Sequence, residues 1–170
     1  MIRRLEHADL AAFRAVRLDA LRLHPEAFGS SYEEESVHSL DEFARFIAPP
    51  GAAFGAFADD RLIGIAALFV PPRPKRRHKG HLTSVYVDAA FRRGNVARGL
   101  VEAVIAAARQ AQLMSVLLTV TVGNQAARRL YLNMGFQIIG TERRAMLVDG
   151  ACYDEELMEL DFDDGTPLSN

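Results

Sequence analysis

The stretch from residue 81 to residue 112 constrains the fold more than any other part of the chain. It begins with the period-two alternation of apolar and small polar residues that is typical of a strand, over residues 82–87. It ends with apolar residues at four-residue spacing from Val96 to Ala108, which is typical of a helix. A short basic turn separates the two patterns. The sequence therefore predicts a strand, a tight loop and a helix N-terminus in direct succession.

The turn between these two elements has the composition of an anion-binding site. The first N–H groups of a helix lack intrahelical partners, and the helix dipole places partial positive charge there. Gly94 and Ala97 add no bulk, and Asn95 tolerates a left-handed backbone, which such a turn can require. Full positive charges come from three arginines: Arg92, Arg93 and Arg98. From the residues alone, an ordinary connection with solvated arginines remains the alternative to phosphate binding.

Length and composition indicate one globular domain. The chain has 170 residues, of which 49% are hydrophobic and 25% are charged, as in ordinary folded proteins. We expect the domain to span residues 1–162 and the tail at 163–170 to be loose. The net charge of −2 gives no general attraction to nucleic acid or to an anionic membrane, so neither is an expected partner.

The cysteine content and the first residues suggest the compartment. A single cysteine, Cys152, excludes an internal disulfide and favours a reducing environment. The N-terminus has no signal-peptide core, and the longest apolar run, residues 62–70, is far shorter than a bilayer span. No Cys/His cluster has zinc spacing, so no metal is expected. We therefore expect a cytoplasmic protein.

Local patterns predict a mixed α/β (α+β) chain with about seven strands and about four helices. The expected helices are 9–23, 40–47, 96–108 and 124–134. The expected strands are 1–5, 52–58, 61–70, 82–87, 115–120, 137–148 and 153–162. Segment 26–37, with consecutive glutamates at 33–35, is interpreted as a loop, and so is the proline-rich basic segment 71–80. The glutamates form either a plain exposed loop or an acidic rim that attracts a cationic amine.

Two segments resemble the acetyl-CoA-binding motifs of the Gcn5-related N-acetyltransferase (GNAT) superfamily. The first motif, Arg/Gln-x-x-Gly-x-Gly/Ala after a strand ending in Val, is similar to Val87 followed by Arg92-Arg93-Gly94-Asn95-Val96-Ala97. The first signature glycine falls on Asn95, with Gly94 one position early. The second motif, Asn-x-x-Ala-x-x-Leu-Tyr-x-x-x-Gly-Phe, is matched at every position from Asn124 to Phe136. Segment 149–158 resembles the closing hairpin of bacterial members.

The resemblance implies a GNAT fold, with a sheet splayed at the site of its cosubstrate, acetyl-CoA. The pantetheine arm would pair with backbone of the central strand at Val85, Tyr86 and Val87. Asn124 would hydrogen-bond this arm, and Ala127 would leave room for it. The residues implied to hold the pyrophosphate are Arg92, Arg93, Gly94, Asn95, Val96, Ala97 and Arg98.

The resemblance also suggests catalytic residues. Tyr131, beside the cofactor, is implied as the general acid that protonates the departing CoA sulfur. From the residues alone, a tyrosine that only packs against the sheet is the alternative. The positions of the family's catalytic glutamates fall on His81 and Thr119, so neither carries a carboxylate here. The general base is then His81, whose imidazole titrates near neutrality, or a water chain.

These motifs predict an acetyl-CoA-dependent N-acetyltransferase that acetylates a primary amine by direct attack in a ternary complex. The acceptor would be a small molecule or a protein, and the family suggests a possible homodimer. The alternative is a catalytically inactive acyl-CoA-binding regulatory or sensor module. A nucleic-acid-binding role for the basic loop 73–79 is disfavoured by the net charge and by the lack of an aromatic platform.

Overall fold

Seven strands form the framework of the computed structural model, which describes residues 1–92 and 94–162. They are β1 (Ile2–Arg4), β2 (Ala52–Ala58), β3 (Arg61–Phe69), β4 (Lys79–Val87), β5 (Ser115–Thr121), β6 (Gln137–Val148) and β7 (Ala151–Asp161). They build one sheet in the order β1-β2-β3-β4-β5-β7-β6. Among the strand pairs of the described residues, only β4–β5 is parallel. The expected mixed sheet is therefore confirmed, whereas the expectations for Arg93 and for the tail at 163–170 lie outside the described residues.

Five α-helices connect or cover these strands in the described residues. They are α1 (Leu10–Leu23), α2 (Tyr32–Ser36), α3 (Leu40–Phe43), α4 (Val96–Gln110) and α5 (Gln125–Asn133). Short 3₁₀ turns extend several of them, and the one at Ala44–Phe46 continues α3 through most of the helix expected at 40–47. None of these helices combines the length and apolarity that a bilayer crossing requires.

The segment expected as a loop at 26–37 contains α2, and this prediction was wrong. Ser31 caps the helix, because its side chain accepts a hydrogen bond from the Glu34 N–H at 3.1 Å. The Glu34 carboxylate in turn accepts one from the Ser31 N–H, which completes a capping box. A helix of five residues is too short to show an apolar period, so its sequence signal was the capping pair rather than the hydrophobic pattern.

The two faces of the sheet bury different helices. On one face α4 packs with three fully buried side chains: Leu100, Val101 and Val104. On the other face α1 and α3 contribute Phe13 and Phe43, whose ring centroids lie 6.2 Å apart. This arrangement holds β2, β3 and β4 between two apolar layers and fixes the position of the strand end that precedes α4.

The parallel pairing between β4 and β5 is short. In the described chain it covers three residue pairs, from Lys79 with Ser115 to His81 with Leu117. Beyond this point β4 continues to Val87 against β3, and β5 continues to Thr121 against β7. The two strands therefore diverge, as the expectation of a splayed sheet requires. Past His81 and Leu117, the backbone groups on their facing edges have no strand partner in the part of the chain that the structure describes.

Candidate active site

The divergence of β4 from β5 opens a cleft with a volume of about 1520 Å³. Its walls come from the end of β4, the turn before α4, the end of β5, helix α5 and the segments that lead from α1 to β2. Ordinary ligand pockets occupy about 300–1,000 Å³. The cleft can therefore hold a large ligand together with a second, smaller one, and it is the candidate active site.

The β4 wall contains the three residues expected to meet a pantetheine arm and one that sequence reasoning missed. Val85, Tyr86 and Val87 all line the cleft, in the part of β4 that has no partner on β5. Ser84 lines it as well, at a β-bulge where its φ is +59°. The Ser84 Oγ is buried and has no hydrogen-bond partner among the described residues. Because an unpaired buried hydroxyl is costly, this oxygen suits a polar ligand atom.

The turn before α4 places Gly94, Asn95, Ala97 and Arg98 at the cleft. A Cβ built on Gly94 would meet no atom of the described chain within 4 Å, so open space lies beside this residue. Asn95 has φ −84° and ψ 14°, and the turn therefore does not use the left-handed conformation that its sequence allows. Val96 packs its side chain into the apolar core and can offer the cleft only its backbone. The free N–H groups of this first turn remain available to an anion.

The two described arginines of the motif differ in how they are held. The Arg92 Nε donates to the carbonyl of Val87 at 2.9 Å, and a terminal nitrogen of Arg92 lies 2.8 Å from Nε2 of His24. Since a guanidinium only donates, the His24 Nε2 is the acceptor. Arg98 pairs with Glu102 at 2.8 Å, and both side chains are more than half exposed. Arg92 is thus fixed at the cleft, whereas Arg98 is weakly restrained.

Helix α5 presents the three residues of the second motif that were expected at the cofactor: Asn124, Ala127 and Tyr131. The Asn124 Oδ1 accepts a hydrogen bond from the Ala127 N–H at 3.2 Å and caps the helix. The Asn124 side-chain NH₂ group makes no hydrogen bond within the described residues, so it can donate to a ligand. The helix ends before Gly135, whose φ of +93° explains the glycine at this position.

Tyr131 lies in the cleft wall and is only 6% exposed. Its ring packs against Phe136 with centroids 5.9 Å apart, and its hydroxyl makes no hydrogen bond among the described residues. Burial raises the pKa of the Tyr131 phenol well above its ordinary value of 10, so the hydroxyl stays protonated at neutral pH. It can therefore donate a proton or a hydrogen bond to a group in the cleft.

His81 is not among the residues that line the cleft. It is half-buried on β4, with its ring centroid 6.2 Å from that of Phe69. Burial lowers the pKa of its imidazole, and the positive charges of Arg76 and Lys79 lower it further. The imidazole is therefore neutral at pH 7, yet the structure does not bring it together with Tyr131. Its role as general base stays a prediction.

The wall between α1 and β2 carries a buried ion pair. Two nitrogens of Arg17 donate to the two carboxylate oxygens of Glu35 at 3.0 and 2.7 Å, and the side chains are 6% and 2% exposed. Burial alone would raise the pKa of Glu35, but the hydrogen bonds and charge of Arg17 hold it below its ordinary value of 4.5. Glu35 therefore adds no free negative charge to an acidic rim, while Glu33 and Glu34 are exposed.

Among the cleft residues that sequence reasoning missed are Arg17, Ser84 and Glu155. Arg17 had a detectable signal, because it stands in the buried stripe of α1 between Phe13 and Leu21, and a charge in such a stripe needs an internal partner. Ser84 and Glu155 had none, because their placement depends on a bulge and on strand register. The described residues hold no group of three or more His, Cys, Asp or Glu side chains arranged to bind a metal ion.

Comparison with known proteins gives consistent results. Residues 17–136 match the model of the Acetyltransferase (GNAT) family. The acetyltransferase yncA from Salmonella typhimurium, solved with acetyl-CoA, superposes with a TM-score of 0.84 at 20% identity, over 99% of this chain and 97% of that one. The ribosomal-protein-alanine N-acetyltransferase from Brucella melitensis gives 0.82 at 23% identity, over 95% and 99%. A GNAT acetyltransferase from Streptococcus pneumoniae gives 0.77 at 25% identity, over 95% and 99%. No curated protein matches the sequence.

Proposed function

The chain belongs to the acetyltransferase (GNAT) family, and from that premise we propose that it moves an acetyl group from acetyl-CoA to a primary amine by direct attack in a ternary complex. Family membership makes the protein an acetyltransferase that uses acetyl-CoA. The proposal extends to the amine class and to the mechanism. The observation that carries it is the cleft between the diverging strands, which joins the N-terminus of α4 to the hydroxyl of Tyr131.

The edge of β4 that has no partner on β5 suits the pantetheine arm. The arm carries two amides, and an extended chain with amides can pair with a free strand edge as an added strand would. The β4 edge beyond His81 offers such backbone groups at Val85, Tyr86 and Val87, and Asn124, the N-cap of α5, lines the same cleft. These contacts would orient the thioester towards Tyr131, whose protonated hydroxyl supports its role as general acid.

The turn before α4 suits the pyrophosphate, and substitution of Gly94 by Asp tests this. An added carboxylate would occupy the open space beside the first helical turn and repel an anion there. We expect Gly94→Asp to weaken acetyl-CoA binding about tenfold or more in calorimetry, while the thermal midpoint stays within about 1 °C, because a Cβ at Gly94 meets no atom.

The matched control for this variant is Gly140→Asp, which adds the same charge at another position where a Cβ meets no atom within 4 Å. Gly140 lies on β6 and does not line the cleft, so acetyl-CoA affinity should be retained. An equal loss of affinity in both variants would show that net charge, rather than the α4 turn, determines binding.

The orphan hydroxyl of Ser84 gives an independent test of the same site. We expect Ser84→Ala to raise the Kd of acetyl-CoA about fivefold, the size of one neutral hydrogen bond, without lowering stability, because this Oγ has no partner in the described protein. Calorimetry and thermal unfolding measure the two quantities. The contrasting variant is Ser115→Ala, which removes a 2.6 Å hydrogen bond to Glu159 and should lower stability but not affinity. Reversal of this pattern would contradict the assignment of Ser84.

The reaction itself is tested by thiol release from acetyl-CoA with a panel of amines: a polyamine, free amino acids, aminoglycosides and a lysine-bearing peptide. CoA release that depends on the amine supports the transferase. Binding of acetyl-CoA without turnover of any amine would support the inactive acyl-CoA sensor instead.

Three further expectations accompany this proposal. We propose that residues 1–162 act as one acetyltransferase domain. A homodimer and a cytoplasmic location also stay predictions. The long β6–β7 hairpin bears exposed apolar side chains at Ile139 and Leu147, a surface that suits contact with a second copy.

A further inference from the structure

The carboxylates of the cleft differ in whether they can accept a proton. Three line it among the described residues: Glu26, Glu35 and Glu155. Glu35 is fully engaged by Arg17 and holds a lowered pKa, so it is a poor base. Glu26 is 44% exposed, so water already solvates its charge. Glu155 has no ion-pair partner in the described chain.

The register of β5 and β7 places Glu155 on the same face of the sheet as Thr121, which donates to the Glu26 carbonyl at 2.6 Å in the segment after α1. Glu155 pairs with Thr121, and Leu157 pairs with Thr119, so the four side chains share one face. Glu142 of β6 stands opposite Glu155 on that face. The neighbouring Glu156 points to the other face, where its carboxylate accepts from Arg128 of α5 at 2.7 Å. The side chains of these two adjacent glutamates of β7 therefore project from opposite faces of the sheet.

Glu155 also lies where two cavities meet. It lines the main cleft together with Tyr131, and it lines a second cavity of about 250 Å³ with Thr119, Gly140 and Glu142. A group bound in the cleft can thus reach the Glu155 carboxylate from one side. A proton taken up by Glu155 can leave through the second cavity, which is open to solvent.

We propose that Glu155 is the general base of the reaction, the group that takes a proton from the ammonium of the acceptor. The proposal rests on the proposed function and adds the residue that sequence motifs left unassigned. It also indicates that the acceptor amine binds between Tyr131 and the β6–β7 hairpin.

The surroundings of Glu155 raise the pKa of its carboxyl, as a general base requires. Burial raises the pKa of its carboxyl, and the negative charge of Glu142 raises it further, while hydrogen bonding with Thr119 opposes both. Tyr153 lines the cleft from the same strand, and His24 and Glu26 line it from the segment after α1. A carboxylate whose pKa moves towards neutrality is a better proton acceptor at pH 7 than an exposed one.

One proton of the ammonium passes to Glu155, and the freed nitrogen lone pair forms a bond to the thioester carbon. The carbon–sulfur bond then breaks with its electron pair on sulfur, which takes the proton of Tyr131. The second nitrogen proton, released as the amide forms, restores Tyr131, and Glu155 returns its proton to solvent. The net products are the N-acetyl amine, CoA thiol and one proton.

The test is the pH dependence of kcat/KM for the amine of the panel with the fastest wild-type turnover. We expect Glu155→Gln to lower kcat/KM at pH 7 about a hundredfold, the usual contribution of a general base. The loss should shrink as pH rises, because the free amine then forms without a base. The KM of Glu155→Gln for acetyl-CoA should stay within about twofold of the wild-type value.

A second variant separates a base from a structural residue. Because Glu142 raises the pKa of Glu155, Glu142→Gln should shift the acid limb of the wild-type profile to lower pH. The matched control is Glu156→Gln, which removes a glutamate from the opposite face and should leave the limb in place. A structural role for Glu155 predicts no shift with Glu142→Gln.

Wild-type kcat/KM and an unchanged profile in Glu155→Gln would overturn the proposal, and so would the expected loss appearing in His81→Gln instead. Absence of amine-dependent turnover in the wild type contradicts the proposed function as well. Wild-type turnover with an unaffected Glu155 variant contradicts this proposal alone.

Discussion

Replacement of Tyr131 by Phe should lower kcat about a hundredfold or more while the protein folds normally. The hydroxyl makes no hydrogen bond among the described residues, so its removal leaves no buried partner unsatisfied. The ring stays and keeps its edge contact with Phe136. The only loss is then a proton donor in the cleft. Steady-state kcat and the thermal midpoint measure the two expectations.

Tyr32 provides the control for this experiment. It lies on α2, is 38% exposed and does not line the cleft, so Tyr32→Phe removes the same group away from the proposed chemistry. We expect its kcat within about twofold of the wild type. If Tyr131→Phe turns over as fast as the wild type, the sulfur leaves as a thiolate without this acid, and the assignment is lost.

Breaking the buried pair of Arg17 and Glu35 should have the largest effect on stability. Glu35→Gln leaves the guanidinium of Arg17 buried without a counter-charge, and such losses cost about 3–5 kcal/mol. The double variant Arg17→Met, Glu35→Leu removes both charges and should recover much of that loss, because apolar residues can replace a buried pair. Urea denaturation gives the free energies of unfolding.

Asp19→Asn is the control for this comparison. It breaks the Arg22–Asp19 pair, whose side chains are 62% and 57% exposed, and should cost less than about 1 kcal/mol.

The stability that Glu35 contributes depends on pH with a definite sign. The pKa of Glu35 in the folded protein lies below its ordinary 4.5, so its contribution is present above that value and is lost as the pH falls. The difference in free energy of unfolding between the wild type and the double variant should therefore shrink as the pH falls. A difference in favour of the wild type that grows in acid would contradict the role of Glu35.

The parts of the fold that could be predicted are those encoded by local pattern. The strand, turn and helix around Arg92, and the capped helix that begins after Asn124, each follow from adjacent residues, and both formed as expected. The two motif segments also reach the same cleft. Helix α2 was missed because its five residues show a capping pair but no period.

The remaining part of the site depends on contacts between residues that are distant in the chain. Glu155 follows Thr119 by 36 positions, and only the pairing of β5 with β7 puts the two side chains on one face. Ser84 is buried because of a bulge against β3, which no spacing rule reveals. Arg17 meets Glu35 only because α2 exists. Register and bulges are tertiary properties, so a single sequence carries weak signals for them.

The short pairing between β4 and β5 would give a cosubstrate bound in the gap a mechanical role. Three rungs and helix α4 are the main links between a four-stranded and a three-stranded half of the sheet. A pantetheine arm in the gap would replace the missing β4–β5 pairing. The protein without acetyl-CoA should therefore flex between β4 and β5, and the complex should be more rigid. Saturation at a hundred times Kd would add about 2.7 kcal/mol to its resistance to unfolding. In the cell, the supply of acetyl-CoA would then set the working rigidity of the enzyme as well as its rate.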